Sequence, residues 1–232
     1  MSHIETSTLK EPKPNTLFIL DIDSTLVTTH QRNQAILQAF IESHSLIFPE
    51  DCKRVQEWDC QLGDYGFRST MQRKGLREAD LSCFDELNRF WKQHFFSNTY
   101  LDFDQPTAGA VQWTQFIHQQ QIPFVYLTAR HKNSMWDGTL KTMDKMGFPI
   151  DKEKLFLKED LSLADEDYKS RLISKFVQLY PGLQMVLIDN EPVVLNKVAE
   201  NHPQVGLVWF ELTHSGKMEP PAQALPIQSF IF

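Results

Sequence analysis

The chain has 232 residues, 41% of them hydrophobic, enough for one α/β domain with a smaller one inserted in it. Its formal net charge of −7 argues against non-specific binding to nucleic acid or to a membrane surface, though not against a small phosphorylated ligand. No apolar run approaches the roughly 18 residues a membrane span needs.

Residues 1–15 are polar, carry two prolines and lack the basic-then-apolar pattern of a secretory signal, so they read as an N-terminal extension. Cys52, Cys60 and Cys83 are an odd number without metal-ligand spacing and read as reduced and structural. Both features point to a cytoplasmic location, and both are compatible with export that needs no N-terminal signal.

The run 17–20 is short and wholly apolar, as expected of a strand buried on both faces. Asp21 and Asp23 follow where it gives out. Residues two apart share a face of a strand, and at its carboxyl end the pair can converge on the crevice where open α/β sheets bind ligands. Two carboxylates that close need a cation, a shared proton or open water. The plainer reading is that they cap the next turn, since Asp, Ser and Thr all do that well.

A helix is expected over 31–43, with Ala35, Ile36, Ala39 and Phe40 on its apolar side, and another from Pro49. Residues 61–66 read as a turn. A long helix is expected from about 78 to 95, its Leu81, Phe84, Leu87, Phe90 and Trp91 recurring at helical spacing as a core stripe. The pattern changes at Pro106. Helices over 107–120, 136–146, 167–179 and 192–201 then alternate with strands over 124–127, 155–157, 185–188 and 205–210. Such alternation builds a Rossmann-like parallel sheet flanked by helices, and the first strand joins it if the helical block is an insertion. The end, 227–232, docks or forms an edge strand.

Polar clusters fall at four element ends: Asp21 with Asp23; Thr128 with Ala129 and Arg130; a lysine ahead of the strand at 185–188; and Asp189 with Asn190 and Glu191. Each alone is weak. In this order on a parallel sheet, the chain resembles the haloacid dehalogenase superfamily, specifically its Mg-dependent phosphohydrolases. Asp21-Ile-Asp23-Ser-Thr25 matches the first motif of that family, Thr128 the second, and Asp189 the fourth. Lys169 is placed as the third-motif lysine, with Lys158 as the alternative. The fourth motif often has two adjacent acids; Asn190 here keeps an oxygen and removes a charge.

The resemblance implies a core of residues 16–29 and 101–232 with an all-helical cap, 30–100, inserted after the first motif. It further implies a phosphomonoester hydrolase working through an aspartyl phosphate on Asp21, with Asp23 as general acid and base. Thr128, Ala129, Arg130 and Lys169 would hold the phosphate, and Mg²⁺ would take Asp21, the backbone carbonyl of Asp23, and Asp189. An acid at position 23 favours a phosphatase, or a mutase, over dehalogenase, phosphonate-cleaving and ion-pump relatives, the phosphatase being preferred. The expected substrate is a phosphorylated small molecule, with a phosphoprotein docked on the cap, or a non-catalytic binding module, as alternatives. Arg68, Arg73, Lys74 and Arg77 form a basic stretch in the cap that reads as a solvated face, or else an anion-steering one.

Overall fold

A computed structural model of the chain describes residues 4–232. A short helix, α1 (Thr6–Lys10), precedes β1 (Thr16–Leu20), all five residues of which are buried. Alternation explains this: Phe18 and Leu20 enter one apolar cluster, Leu17 and Ile19 the cluster on the other face. The chain then forms β2 (Val27–Thr28) and the helices α2 (His30–His44), α3 (Pro49–Val55), α4 (Gly66–Arg73) and α5 (Phe84–Phe95). It returns through β3 (Gln105–Pro106), which pairs antiparallel with β2. The outgoing and returning chains therefore leave the sheet side by side. Between them, Ile36, Phe40, Val55, Phe67, Met71 and Leu87 belong to a third apolar cluster of the helical segment's own.

The remainder alternates: α6 (Ala110–Gln119), β4 (Phe124–His131), α7 (Lys132–Met146), β5 (Leu155–Lys158), α8 (Asp165–Leu179), β6 (Gln184–Asp189), α9 (Pro192–Asn201), β7 (Gly206–Phe210) and β8 (Leu225–Ile227). Six strands form one parallel sheet in the order β5-β4-β1-β6-β7-β8. This is the expected Rossmann-like α/β architecture. The order runs outward from β1 to β5 on one side and from β6 to β8 on the other, so a switch point lies at the carboxyl end of β1. Leu20 pairs with both Tyr126 and Ile188, which brings Asp21, Thr128 and Asp189 to the same end of the sheet.

Several expectations need correction. The helix expected from about 78 is broken: residues Glu78–Asp80 form a separate 3-10 turn and α5 starts at Phe84. Arg77 and Asp80 close a capping box at the start of that turn, the Arg77 N–H donating to Asp80 Oδ2, and the chain is extended at Leu81 before α5 begins. Lys169 does not open its helix, which starts at Asp165; it lies one turn in. Strand β4 continues past Thr128 to His131, with a register irregularity between those two residues. Within the N-terminal extension, Ile4 and Leu9 are buried in the main core and the indole N–H of Trp113 donates to the Leu9 carbonyl. At the other end β8 adds an edge strand, and Phe230 packs against Trp113 and Phe210. Among the described residues no helix is long and apolar enough to cross a membrane.

Candidate active site

The turn after β1 is tight. The N–H of Asp21 donates to the Ile188 carbonyl, that of Ser24 to Val27, and those of Thr25 and Val27 to Ile22. Ser24 sits at φ 61°, a left-handed conformation that costs a non-glycine residue about 1–2 kcal/mol. That turn sends the two aspartates to different partners. The Asp21 carboxylate faces Lys169 and the Asp23 carboxylate faces Arg130 and Arg32, though both line one cleft.

Asp21 is buried and faces Lys169. The ammonium donates to Asp21 Oδ1 at 2.6 Å and to Asp189 Oδ2 at 2.7 Å, bridging two strand ends. Thr25 Oγ1 donates to Asp21 Oδ2 at 2.8 Å, and the Glu191 N–H donates to Asp189 Oδ1 at 2.9 Å. Burial pushes the carboxyls of Asp21 and Asp189 above their usual range, against the pull of Lys169. Burial also works against the lysine's charge, but Asp189 and Asp21 more than restore it. Two carboxylates thus share one ammonium, and a negative charge is left over in a desolvated place.

Asp23 belongs to a second cluster. Arg130 donates Nε to its Oδ2 and Nη2 to its Oδ1, both at 2.8 Å, and Arg32 Nη2 reaches Oδ1 at 2.6 Å. Both arginines also bind Asp104, Arg130 through Nη2 at 2.7 Å and Arg32 through Nε at 2.7 Å and through Nη2. Two guanidiniums balance two carboxylates. Burial raises the Asp23 carboxyl, but Arg130 and Arg32 pull it well below the usual carboxylate range. Asp104 lies deeper, and burial leaves it above its usual value despite the same arginines. Arg32 further packs its guanidinium over the Phe95 ring, 4.4 Å from the centroid.

One cleft is lined by Asp21, Asp23, Thr128, Ala129, Arg130 and Lys169 from the sheet side, with Asn190 and Glu191 beside them. Thr128 is buried, and its hydroxyl accepts from the Arg130 N–H at 3.2 Å. The guanidinium of Arg130, expected to hold phosphate, is instead fully engaged by Asp23, Asp104 and Thr139 Oγ1. Lys158, the alternative third-motif lysine, pairs with Asp165 at 2.6 Å rather than with Asp21 or Asp189. Asn190 is tied into the fold: its Nδ2 donates to the Thr213 carbonyl at 2.7 Å, and its Oδ1 accepts from Thr25 at 3.4 Å. The basic stretch on and just after α4 is paired with acids, Arg68 with Glu78, Arg73 with Asp64 and Asp59, Lys74 with Asp59, and Arg77 with Asp80.

From the helical side the cleft is closed by Asn33, Tyr65, Gly66, Trp91, Phe95 and Phe96. Arg32 and Asp104 carry no signal in the sequence. Neither sits in a motif; a buried arginine in the first turns of α2 and an acid just before β3 become partners only when the insertion folds back.

Among the described residues no three His, Cys, Asp or Glu side chains are grouped as a metal site. The expected donor set has only two carboxylates, the rest being a backbone carbonyl and water, and Mg²⁺ prefers such hard, incompletely protein-filled sets. The observation that fits a divalent cation there is geometric: the carboxylates of Asp21 and Asp189 sit together on a single ammonium.

No family model matches the chain, and no curated protein matches it in sequence. Solved structures do match in shape. Protein tyrosine kinase A of Mycobacterium tuberculosis superposes with a TM-score of 0.59 at 12% identity, covering 94% of this chain and 95% of that one. A haloacid dehalogenase superfamily hydrolase of subfamily IA, variant 1, from Geobacter sulfurreducens gives 0.54 at 12% identity, over 93% and 92%. A haloacid dehalogenase-like hydrolase from Streptococcus pneumoniae gives 0.51 at 12% identity, over 86% and 87%. The chain has the haloacid-dehalogenase-like fold. The names attached to that fold range from hydrolase to kinase, so the reaction has to be argued from the site.

Proposed function

We propose that the chain is a Mg-dependent phosphomonoester hydrolase with Asp21 as nucleophile. The observation that carries this is the meeting of Asp21, Lys169 and Asp189, drawn from three distant segments, beside Thr128 at the switch point of the sheet. Asp21, Asp189 and the Asp23 carbonyl would hold Mg²⁺, which when bound offsets the charge that keeps an anionic nucleophile from an anionic phosphate.

Asp21 attacks phosphorus and the alcohol leaves, giving an aspartyl phosphate that water then hydrolyses. Thr128 and the Ala129 backbone N–H hold phosphoryl oxygens, and Lys169 fixes Asp21 while lowering the charge repulsion. Asp23 handles the protons. Held ionised by its arginines, it suits the second half, where it takes a proton from the attacking water. Donating to the leaving oxygen in the first half requires Asp23 to take up a proton as the dianionic phosphate arrives and raises its proton affinity. The helical segment acts as a cap that excludes water.

The test is turnover of an aryl phosphate by wild type and Asp21→Asn, with Mg²⁺ and with EDTA. The variant should fall by roughly 10³-fold or more, and chelation should silence the wild type. Undiminished activity of the variant would refute the assignment.

A further inference from the structure

Resting on that reading, we propose that the alcohol released is flat, apolar and uncharged, so that the enzyme's substrates are arylmethyl and aryl phosphate monoesters. The wall opposite Asp21 is aromatic. Trp91, Phe95 and Phe96 line the cleft and adjoin one another, with ring centroids 4.8 Å apart for Trp91–Phe95 and 5.2 Å for Phe95–Phe96. All three are only half-buried, so apolar ring surface remains exposed.

This wall is held in place. The indole N–H of Trp91 donates to Asn33 Oδ1 at 2.8 Å, which leaves the ring to offer apolar surface and no hydrogen bond. Gly66, at φ 67°, lets the backbone approach that ring so closely that a Cβ would stand 3.3 Å from it. Phe96 is backed by His131, stacked at 4.6 Å. A rigid, preformed surface of this kind favours a rigid, planar partner.

The cationic groups in the cleft are already committed. Lys169 is bound to two carboxylates and Arg130 to two others. The remaining charged side chains, Asp165 and Glu191, are acids, Asp165 being paired with Lys158, so a second anionic group on the substrate finds no free cation among the lining side chains. Ser24 and Thr29 hydrogen-bond to each other, and Asn33 holds Trp91. A polyhydroxylated leaving group would be stripped of water and given few partners in return.

The test uses two phosphonates that have no ester bond to break, 2-naphthylmethylphosphonate and 2,3-dihydroxypropylphosphonate, with Mg²⁺ present and calorimetry as the readout. Turnover of the matching phosphates, both esters of primary alcohols, is measured in parallel so that leaving-group basicity is equal. The naphthyl compound should bind about tenfold tighter or better, and Trp91→Leu, which stays apolar but loses the ring, should shrink that preference to about threefold or less. Phe96→Leu repeats the test should the first variant not fold. Equal affinities, a preference for the dihydroxy compound, no binding of either, or a preference unchanged in both variants would overturn the proposal. Tight naphthyl binding without turnover of any ester would instead overturn the hydrolase reading and leave the pocket assignment standing.

Discussion

Arg32 opens the helical segment and Asp104 closes it, yet Arg32 Nε donates to Asp104 Oδ1 across 2.7 Å, and the pair shares Asp23 and Arg130. These four side chains join the helical segment, its return and two strand ends at one point. The Arg32, Arg130 and Asp104 side chains are almost wholly buried; that of Asp23 is 23% exposed toward the cleft. Asp104→Asn leaves two buried guanidiniums with one carboxylate, and breaking a buried network in this way costs about 3–5 kcal/mol. Urea unfolding checks it. The double variant Arg32→Met with Asp104→Leu should lose less than Asp104→Asn alone, because it removes charges in balance. A single variant within about 0.5 kcal/mol of wild type would mean the network contributes no more than an ordinary surface site.

The two candidate lysines separate cleanly by experiment. Lys169→Met strands Asp21 and Asp189 side by side without their ammonium, so both stability and phosphate turnover should collapse. Lys158→Met releases only Asp165, whose side chain is 54% exposed, so a loss of about 1 kcal/mol or less is expected. Melting curves and aryl phosphate turnover for the two variants decide it; equal damage from both would mean the ammonium between the strand ends has no special part.

The strand ends are legible in the sequence because a buried parallel strand shows as an apolar run that stops abruptly. Asp21, Thr128 and Asp189 stand out for that reason, each a polar residue at the point where such a run gives way. What Asp23 touches is not legible. Its spacing from Asp21 suggests one shared site, and both line one cleft, but the Asp23 carboxylate is held there by Arg130 and Arg32. Partners 9 and 107 positions away leave no local periodic trace. The docking of residues 4–9 is hidden for a related reason. Their composition is polar, and only Ile4 and Leu9 meet the core.

Gly109 is a position where only glycine fits. It caps α6 at φ 80°, and a Cβ there would lie 2.6 Å from the Phe230 carbonyl carbon, which is backbone and cannot swing aside. Gly109→Ala combines the left-handed penalty with overpacking, about 2–5 kcal/mol together. The Phe230 N–H bond to the Ala108 carbonyl should open, so amide exchange at Phe230 should quicken. Unchanged protection there would show that the tail does not rely on this close approach.

Acid should weaken the helical segment in a way that one residue reports. Asp51 accepts from Ser82 Oγ at 2.6 Å and from the Cys83 N–H at 2.9 Å, tying the start of α3 to the residues before α5. Burial raises its carboxyl, but these hydrogen bonds outweigh it and leave the group below its usual range. A depressed carboxyl stabilises the fold at pH above its unfolded value of about 3.9, and that contribution fades as pH falls toward the folded value. Asp51→Asn should therefore be less stable than wild type at pH 7, and the gap should narrow below about pH 4. Trp58 and Trp91 fluorescence follows the transition within this segment. A gap of constant size from pH 7 to pH 3 would show that the charge on Asp51 does not matter to the fold.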